Sequence, residues 1–275
     1  MLMDFFRFEF LQNALYTGII IGFIAPLLGV FVVIRRLSLI ADALSHVALA
    51  GIAFSLFIDK KYAIGTNPLY AGMSFSVIGA LFIERLRSVY KHYQELAIPI
   101  ILSGGIGLSV IFISLADGFN ADLFSYLFGS VSAVTREDLW LIFGIAVAVV
   151  LTIVFLYKEL FLLSFDEEYA KATGLKAKTI HFVFIVMVAL VIAASMRVVG
   201  ILLVSSLMTL PVAASIRIAN GFKQTIYLSI IFGEIAVIGG IFSGYVLDIA
   251  PGGAIVMISI VILMGAILFK KWRTS

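Results

Sequence analysis

The chain contains no cysteine. Disulfides and thiolate metal sites are excluded with it, so any metal chemistry here rests on nitrogen and oxygen donors. Charge is scarce as well. Asp, Glu, Lys and Arg make up 13% of the 275 residues, against about 25% in an ordinary soluble domain. Hydrophobic residues reach 63%, which points away from a soluble domain and towards a polytopic membrane protein. The net charge of +3 is small and belongs to loops, not to a nucleic-acid surface. A nucleotide-binding loop is missing too: no G-x-x-x-x-G-K-[ST] run or other glycine-rich form of it occurs. If the chain serves a pump, a separate subunit must hydrolyse the ATP. Met1 to Phe10 lack the basic leader, long apolar run and A-x-A-like site of a cleaved signal, and read as a short interfacial helix. With no internal repeat and no linker, residues 1–275 read as a single transmembrane domain.

What the chain has is hydrophobic length. Nine segments of about 17 residues or more are expected to cross a bilayer as helices. They run from Asn13 to Ile34, Leu37 to Ile58, Pro68 to Ile83, Ala97 to Leu115, Leu139 to Leu156, Ile180 to Met196, Val198 to Ile216, Thr225 to Leu247 and Gly252 to Phe269. The turn between the sixth and seventh is little more than Arg197, short enough for a broken or re-entrant helix that would lower the count to eight. The fold class expected is an all-α integral membrane bundle of eight to nine transmembrane helices. Basic residues fall in alternate loops: Arg35 and Arg36, then Arg85, Arg87 and Lys91, then Lys158 to Lys178, then Arg217 to Lys223, then Lys270 to Arg273. The positive-inside rule puts these loops and the C-terminus in the cytoplasm and the N-terminus outside, and the expected location is the plasma (inner) membrane. Lys60 and Lys61 run against that pattern. Recurrent small residues, among them Gly18, Gly22, Gly104, Gly105, Gly107, Gly239, Gly240 and Gly244, read as close-packing positions.

The second segment opens Arg35-Arg36-Leu37-Ser38-Leu39-Ile40-Ala41-Asp42-Ala43-Leu44-Ser45-His46. Asp42 and His46 are four residues apart, so a helix puts both on one face. His46 lies about 15 Å from Arg36 along a helix, near the middle of a hydrocarbon core about 30 Å thick. Intramembrane ionisable groups cost several kcal/mol and usually have a use. Two readings follow: a packing pair, or a metal site. An imidazole and a carboxylate at this spacing suit zinc, manganese or iron(II). One helix gives only two ligands, so a two-fold dimer would complete a four-ligand site with Asp42 and His46 from each copy. Glu234, about ten residues into its span, reads as a second ligand, a proton partner or an interhelical hydrogen bonder. Arg197 is expected to snorkel to the interface. Asp117, Asp122, Glu137 and Asp138 are expected to form a solvated acidic loop, and Pro211 a kink. His92 and His181 fall near the cytoplasmic face, away from the proposed site.

The loop Lys158 to Lys178 is the longest basic one. Ser164 followed by Glu167 has capping-box spacing, Asp166, Glu167 and Glu168 suit a helix N-terminus, and Gly174 suits a C-terminal cap. A short helix on the cytoplasmic face is expected there.

Four stretches carry a resemblance. The Arg35 to His46 run, Leu127-Phe128-Gly129-Ser130-Val131-Ser132, Leu163 to Ala170, and Val198 to Pro211 together resemble the permease subunits of zinc/manganese ABC importers. The resemblance implies a permease that is not itself an enzyme and holds no cofactor. It implies a homodimer bound to cytoplasmic ATP-binding subunits and fed by an extracytoplasmic metal-binding protein. It implies a fold similar to cobalamin- and siderophore-type importer permeases, with Asp42 and His46 in the translocation path. Phe165, Asp166, Glu167, Glu168, Tyr169, Ala170 and Gly174 would belong to the coupling helix. The Ala41-Asp-Ala-Leu-Ser-His-Val-Ala-Leu-Ala-Gly51 form looks like the zinc branch, whereas the manganese branch more often has a proline where Ala50 stands, so Zn2+ is the expected cargo, with Mn2+ or Fe2+ as alternatives. A proton-coupled secondary transporter, with Asp42, His46 and Glu234 as a relay, is the rival of another class.

Overall fold

Hydrophobic length becomes helix length almost segment by segment. The computed structural model describes residues 7–274 except 64, 66, 117, 119 and 120. Most of the Met1 to Phe10 segment, and Asp117, therefore lie outside the described residues. The helices are α1 (Glu9–Ile34), α2 (Leu39–Tyr62), α3 (Pro68–Val89), α4 (Ala97–Leu115), α5 (Ala121–Phe128) and α6 (Arg136–Phe155). They continue with α7 (Tyr157–Phe165), α8 (Glu167–Ala172), α9 (Ala177–Val199), α10 (Val204–Ile218), α11 (Phe222–Leu247) and α12 (Pro251–Thr274). Among the described residues eight helices are long and apolar enough to span, namely α1, α2, α3, α4, α6, α9, α11 and α12. The chain is thus a polytopic all-α membrane bundle.

The seventh hydrophobic segment, Val198 to Ile216, is where the structure departs from a simple count of nine. Gly200 takes φ +88° and ends α9, and α10 then has only 15 residues, about 22 Å of helix. The non-helical stretch between them is not left bare. Ile201 N–H donates to Tyr126 O at 2.9 Å, Leu202 N–H to Leu127 O at 3.4 Å and Ser130 N–H to Arg197 O at 2.9 Å. Irregular backbone survives in a membrane protein only where other protein atoms satisfy it. Here the segment after α9 donates to the last turn of α5, and the segment after α5 donates to the last turn of α9.

The loops sort onto two ends of the bundle. At one end Arg35, Glu84, Arg87 and His181 meet, and Phe222 packs on Phe161 and Phe165. At the other Asn67, Tyr126, Asp138 and Arg197 meet, with Glu9 3.9 Å from Arg136. Successive passes alternate between these ends, short α10 included. α1, α2 and α9 are buried along most of their length, while α4, α6 and α12 expose theirs.

Capping chemistry fixes the helix starts. Asn67 accepts from Leu69 N–H ahead of Pro68. Thr135 and Asp138 form a reciprocal capping box on α6. The α8 cap differs from the expected one. Ser164 donates to Leu160 O at 2.6 Å within α7, and Asp166 accepts from Tyr169 N–H at 2.8 Å instead. Ser164 keeps helical backbone and cannot serve as the extended capping residue. Gly174 does end α8, at φ +83°, with Gly174 N–H bonded to Lys171 O and Leu175 N–H to Ala170 O, a Schellman arrangement.

Candidate functional site

α1 ends in the same motif with an unusual occupant. Arg36 N–H bonds Val33 O at 3.0 Å and Leu37 N–H bonds Val32 O at 2.9 Å, so Arg36 holds the left-handed position, φ +57°, that glycine normally fills. The conformation costs a non-glycine residue about 1–2 kcal/mol. The turn sends Arg35 back towards the bundle, leaves Arg36 exposed and starts α2.

Along the next turns of α2, Ile40, Ala41, Ala43, Leu44, Ser45, Val47 and Ala48 are buried, while Asp42 and His46 are only half-buried. Leu39, on the same strip one turn earlier, is 57% exposed. The pair therefore emerges together on a surface strip of the single chain, a carboxylate and an imidazole one turn apart. No third carboxylate or imidazole joins them among the described residues. α4 covers α2 next to this strip at Gly105, where a Cβ would lie 2.9 Å from Val47 N and 3.1 Å from the His46 carbonyl carbon. Gly104 and Gly107 of α4 face open space.

Glu234 occupies a different place. Its carboxylate lies over Gly22 of α1, where a Cβ would sit 3.2 Å from Oε2. Around it is a groove of about 400 Å³ between α1, α6 and α11, lined by Ile19, Phe23, Phe143, Val147 and Leu151. α11 packs on α1, α10 and α12, whereas α2 packs on α3, α4, α9 and α10. Within one chain Glu234 is not brought to Asp42 and His46. His92 is exposed, and Pro211 lies inside α10, where its missing N–H leaves the Leu207 carbonyl without its helical donor.

Arg197 does not snorkel. Its Nε and Nη2 donate to the Tyr126 hydroxyl at 3.0 and 2.9 Å, Nη1 donates to Ala133 O at 3.1 Å and to the Asp138 carboxylate, and Nη2 reaches Asn67 Oδ1 at 3.4 Å. Asp138 is 1% exposed, so it is an ion-pair partner and not a solvated loop acid. A guanidinium this well supplied has no reason to seek water. Burial raises the Tyr126 hydroxyl above its ordinary pKa and keeps it neutral as an acceptor. Around this hub the Leu127 to Ser132 and Val198 to Pro211 stretches lie side by side. A Cβ on Gly129 would press on Val199, and one on Gly200 would lie 2.6 Å from Gly129 N.

The opposite end gathers a second cluster that sequence reasoning left as isolated residues. His181 is 6% exposed. Its Nδ1 lies 2.6 Å from Arg35 Nη2, its Nε2 meets Arg87 Nη1, and the same Nε2 is 3.1 Å from Glu84 Oε2. Arg35 also stacks over Phe184 at 5.4 Å. Its Nη1 is buried without a hydrogen-bond partner, and burial pushes its pKa down to about 10, so it stays charged at neutral pH. Phe31, Phe184 and Phe222 are in ring contact, and Phe222 continues to Tyr157, Phe161 and Phe165 at 6.2, 5.0 and 5.8 Å. The α7–α8 segment is thereby packed onto the ends of α1, α9 and α11. Phe165 and Tyr169 stay 60% and 58% exposed, and Glu167 pairs with Lys171 at 2.8 Å.

Known proteins resemble the chain in sequence and in fold. The chain is 36% identical over 258 residues to the manganese import system permease protein ScaB of Streptococcus parasanguinis, covering 94% of this chain and 90% of that one. It is 35% identical over 258 residues to a metal transport system membrane protein of Treponema pallidum, covering 94% of each. Among solved structures, PsaBC from Streptococcus pneumoniae in complex with Fab superposes with a TM-score of 0.83 at 32% identity, over 97% of this chain and 95% of that one. An inward-facing metal-chelate type ABC transporter superposes with a TM-score of 0.69 at 18% identity, over 98% and 89%, a likeness of fold. With residues 7–270 matching the model of that family, the chain belongs to the ABC 3 transport family.

Proposed function

We propose that this chain is the permease subunit of an ATP-driven importer that carries a divalent transition metal into the cytoplasm, and that Asp42 and His46 from two copies hold the ion in transit. One observation carries the reading. Two donors one helical turn apart reach the surface of α2 together while their neighbours are buried. One chain supplies two donors, and a second copy related by two-fold symmetry supplies the other two. The open faces of Gly104 and Gly107 beside that strip suit close approach of a second copy's helix. The basic end, with Arg35, Arg87 and the exposed α7–α8 segment, faces the cytoplasm together with the C-terminus, and there the coupling helix Phe165 to Gly174 meets the ATP-hydrolysing subunit. The Arg197 end faces the extracytoplasmic metal-binding protein.

Manganese is the first cation to test, because the ScaB relative is named for it and carboxylate oxygen suits it. Zinc, the cation expected from the Ala-Asp-Ala-Leu-Ser-His stretch, is the second reading, favoured by a four-donor set of two imidazoles and two carboxylates. The test is uptake into vesicles holding the complete transporter, with manganese and zinc competed against each other. His46→Ala and Asp42→Ala should each abolish uptake while the permease still inserts and dimerises. Uptake at the normal rate by either variant contradicts the site.

A further inference from the structure

Beside the coupling segment is a basic pocket of about 500 Å³, lined by Arg35, Arg36, Arg87, Ser164, Phe165 and Glu167 among others. Its charges do not balance. Three arginines face one carboxylate, Glu167, which Lys171 already engages. Glu84 adds a second carboxylate, 3.1 Å from His181 and 3.9 Å from Arg87 Nη1, and Arg87 Nη2 donates to Gln94 Oε1 at 3.2 Å. With Arg35 on His181, Arg36 is the arginine left without a side-chain partner among these contacts. Arg35 keeps a buried Nη1 with no acceptor. Arg36 stands exposed on a left-handed backbone that glycine would adopt without strain, so the fold itself gains nothing from an arginine there.

We propose that this pocket takes an acidic side chain of the ATP-hydrolysing subunit, held between Arg36 and Arg87 as a second point of attachment beside the coupling helix. The proposal rests on the reading that such a subunit docks at this end. A carboxylate fits better than a phosphate, because Glu167 in the wall opposes a dianion more strongly than a monoanion. The pocket also shares Ser164, Phe165 and Glu167 with the docking segment itself, so an acid on the same partner surface reaches it directly.

The experiment uses the purified permease with its ATPase subunit. Arg36→Gly relieves the backbone strain, so its melting temperature should equal or exceed that of the wild type, while its affinity for the ATPase falls about tenfold or more. Arg36→Glu should fall further. Arg36→Lys supplies an amine that a zero-length carbodiimide can join to a carboxylate, and a cross-linked peptide should connect residue 36 to an Asp or Glu of the ATPase. Unchanged affinity in Arg36→Gly and Arg36→Glu overturns the proposal. So does loss of a co-purifying anionic lipid or phosphate in those variants with ATPase affinity kept, which would make a headgroup or a free anion the occupant. A wild-type permease that binds no ATPase at all fails differently: it removes the proposed function, and the pocket proposal with it.

Discussion

The two ends of the bundle use arginine in opposite ways. Arg197 has an acceptor for each of its nitrogens, and its charge is matched by a buried aspartate. Arg35 shares one histidine with Arg87 and leaves a buried nitrogen unused. The Arg197 end is finished within the chain: its hub ties the start of α3, the end of α5, the start of α6 and the end of α9 into one unit. The Arg35 end carries surplus positive charge, an exposed aromatic segment and an arginine where a glycine would be cheaper. A closed end has a structural purpose, and the unfinished one is where the proposed ATP-hydrolysing subunit would dock.

The contrast can be broken at the Arg197 end with large effects. Asp138→Ala or Arg197→Ala leaves one buried charge without its partner, an expected loss of about 3–5 kcal/mol. Unfolding in detergent would show it, and the double variant should lose less than the sum of the two. A loss under about 1 kcal/mol, as for an exposed pair, would mean that this end is not closed by its ion pair. Gly200→Ala comes next. It places a Cβ against Gly129 on a left-handed backbone, at an expected cost of about 1–3 kcal/mol, read as a lowered melting temperature.

The Arg35 end should respond in work as well as in stability. Phe222→Ala removes ring contacts with Phe31, Tyr157, Phe161 and Phe165, each pair worth about 0.5–1.5 kcal/mol. It should lower ions moved per ATP hydrolysed, and Phe222→Tyr should restore the ratio. An unchanged ratio would sever the α7–α8 segment from α1 and α11 as a working unit. Smallest is Lys171→Ala, worth about 0.3–0.5 kcal/mol for a pair four residues apart. Its hydrogen bond holds Glu167 below the ordinary glutamate value of 4.5. The support is therefore complete above that value and fades as pH falls through the lower folded one. A wild-type melting temperature that declines more than the variant's on acidification through this window would show it.

Much of this was legible in the sequence. Apolar length gave the spans, charge alternation gave the two ends, and helical period put Asp42 and His46 on one strip. Gly174 announced the end of α8 through its need for positive φ. What was not legible depended on partners distant in the chain. The short turn at Arg197 already allowed a broken helix and a count of eight, but nothing local says that Tyr126 and Leu127 will accept the Ile201 and Leu202 N–H groups. Arg197 read as a snorkelling residue because its four partner segments lie 59 to 130 residues away. Glu234 looked available to the Asp42–His46 site because depth along a helix can be counted, whereas the side of the bundle it faces is set by packing on Gly22. Ser164 and Asp166 both had capping chemistry, and only the backbone angles chose between them.

The account turns on one ion shared between two chains. The direct measurement is metal content of the purified permease dimer, loaded with manganese or zinc and freed of excess. One ion per two chains, falling to none in His46→Ala, is the expected result. One ion per chain, or an unchanged content in His46→Ala, would contradict it.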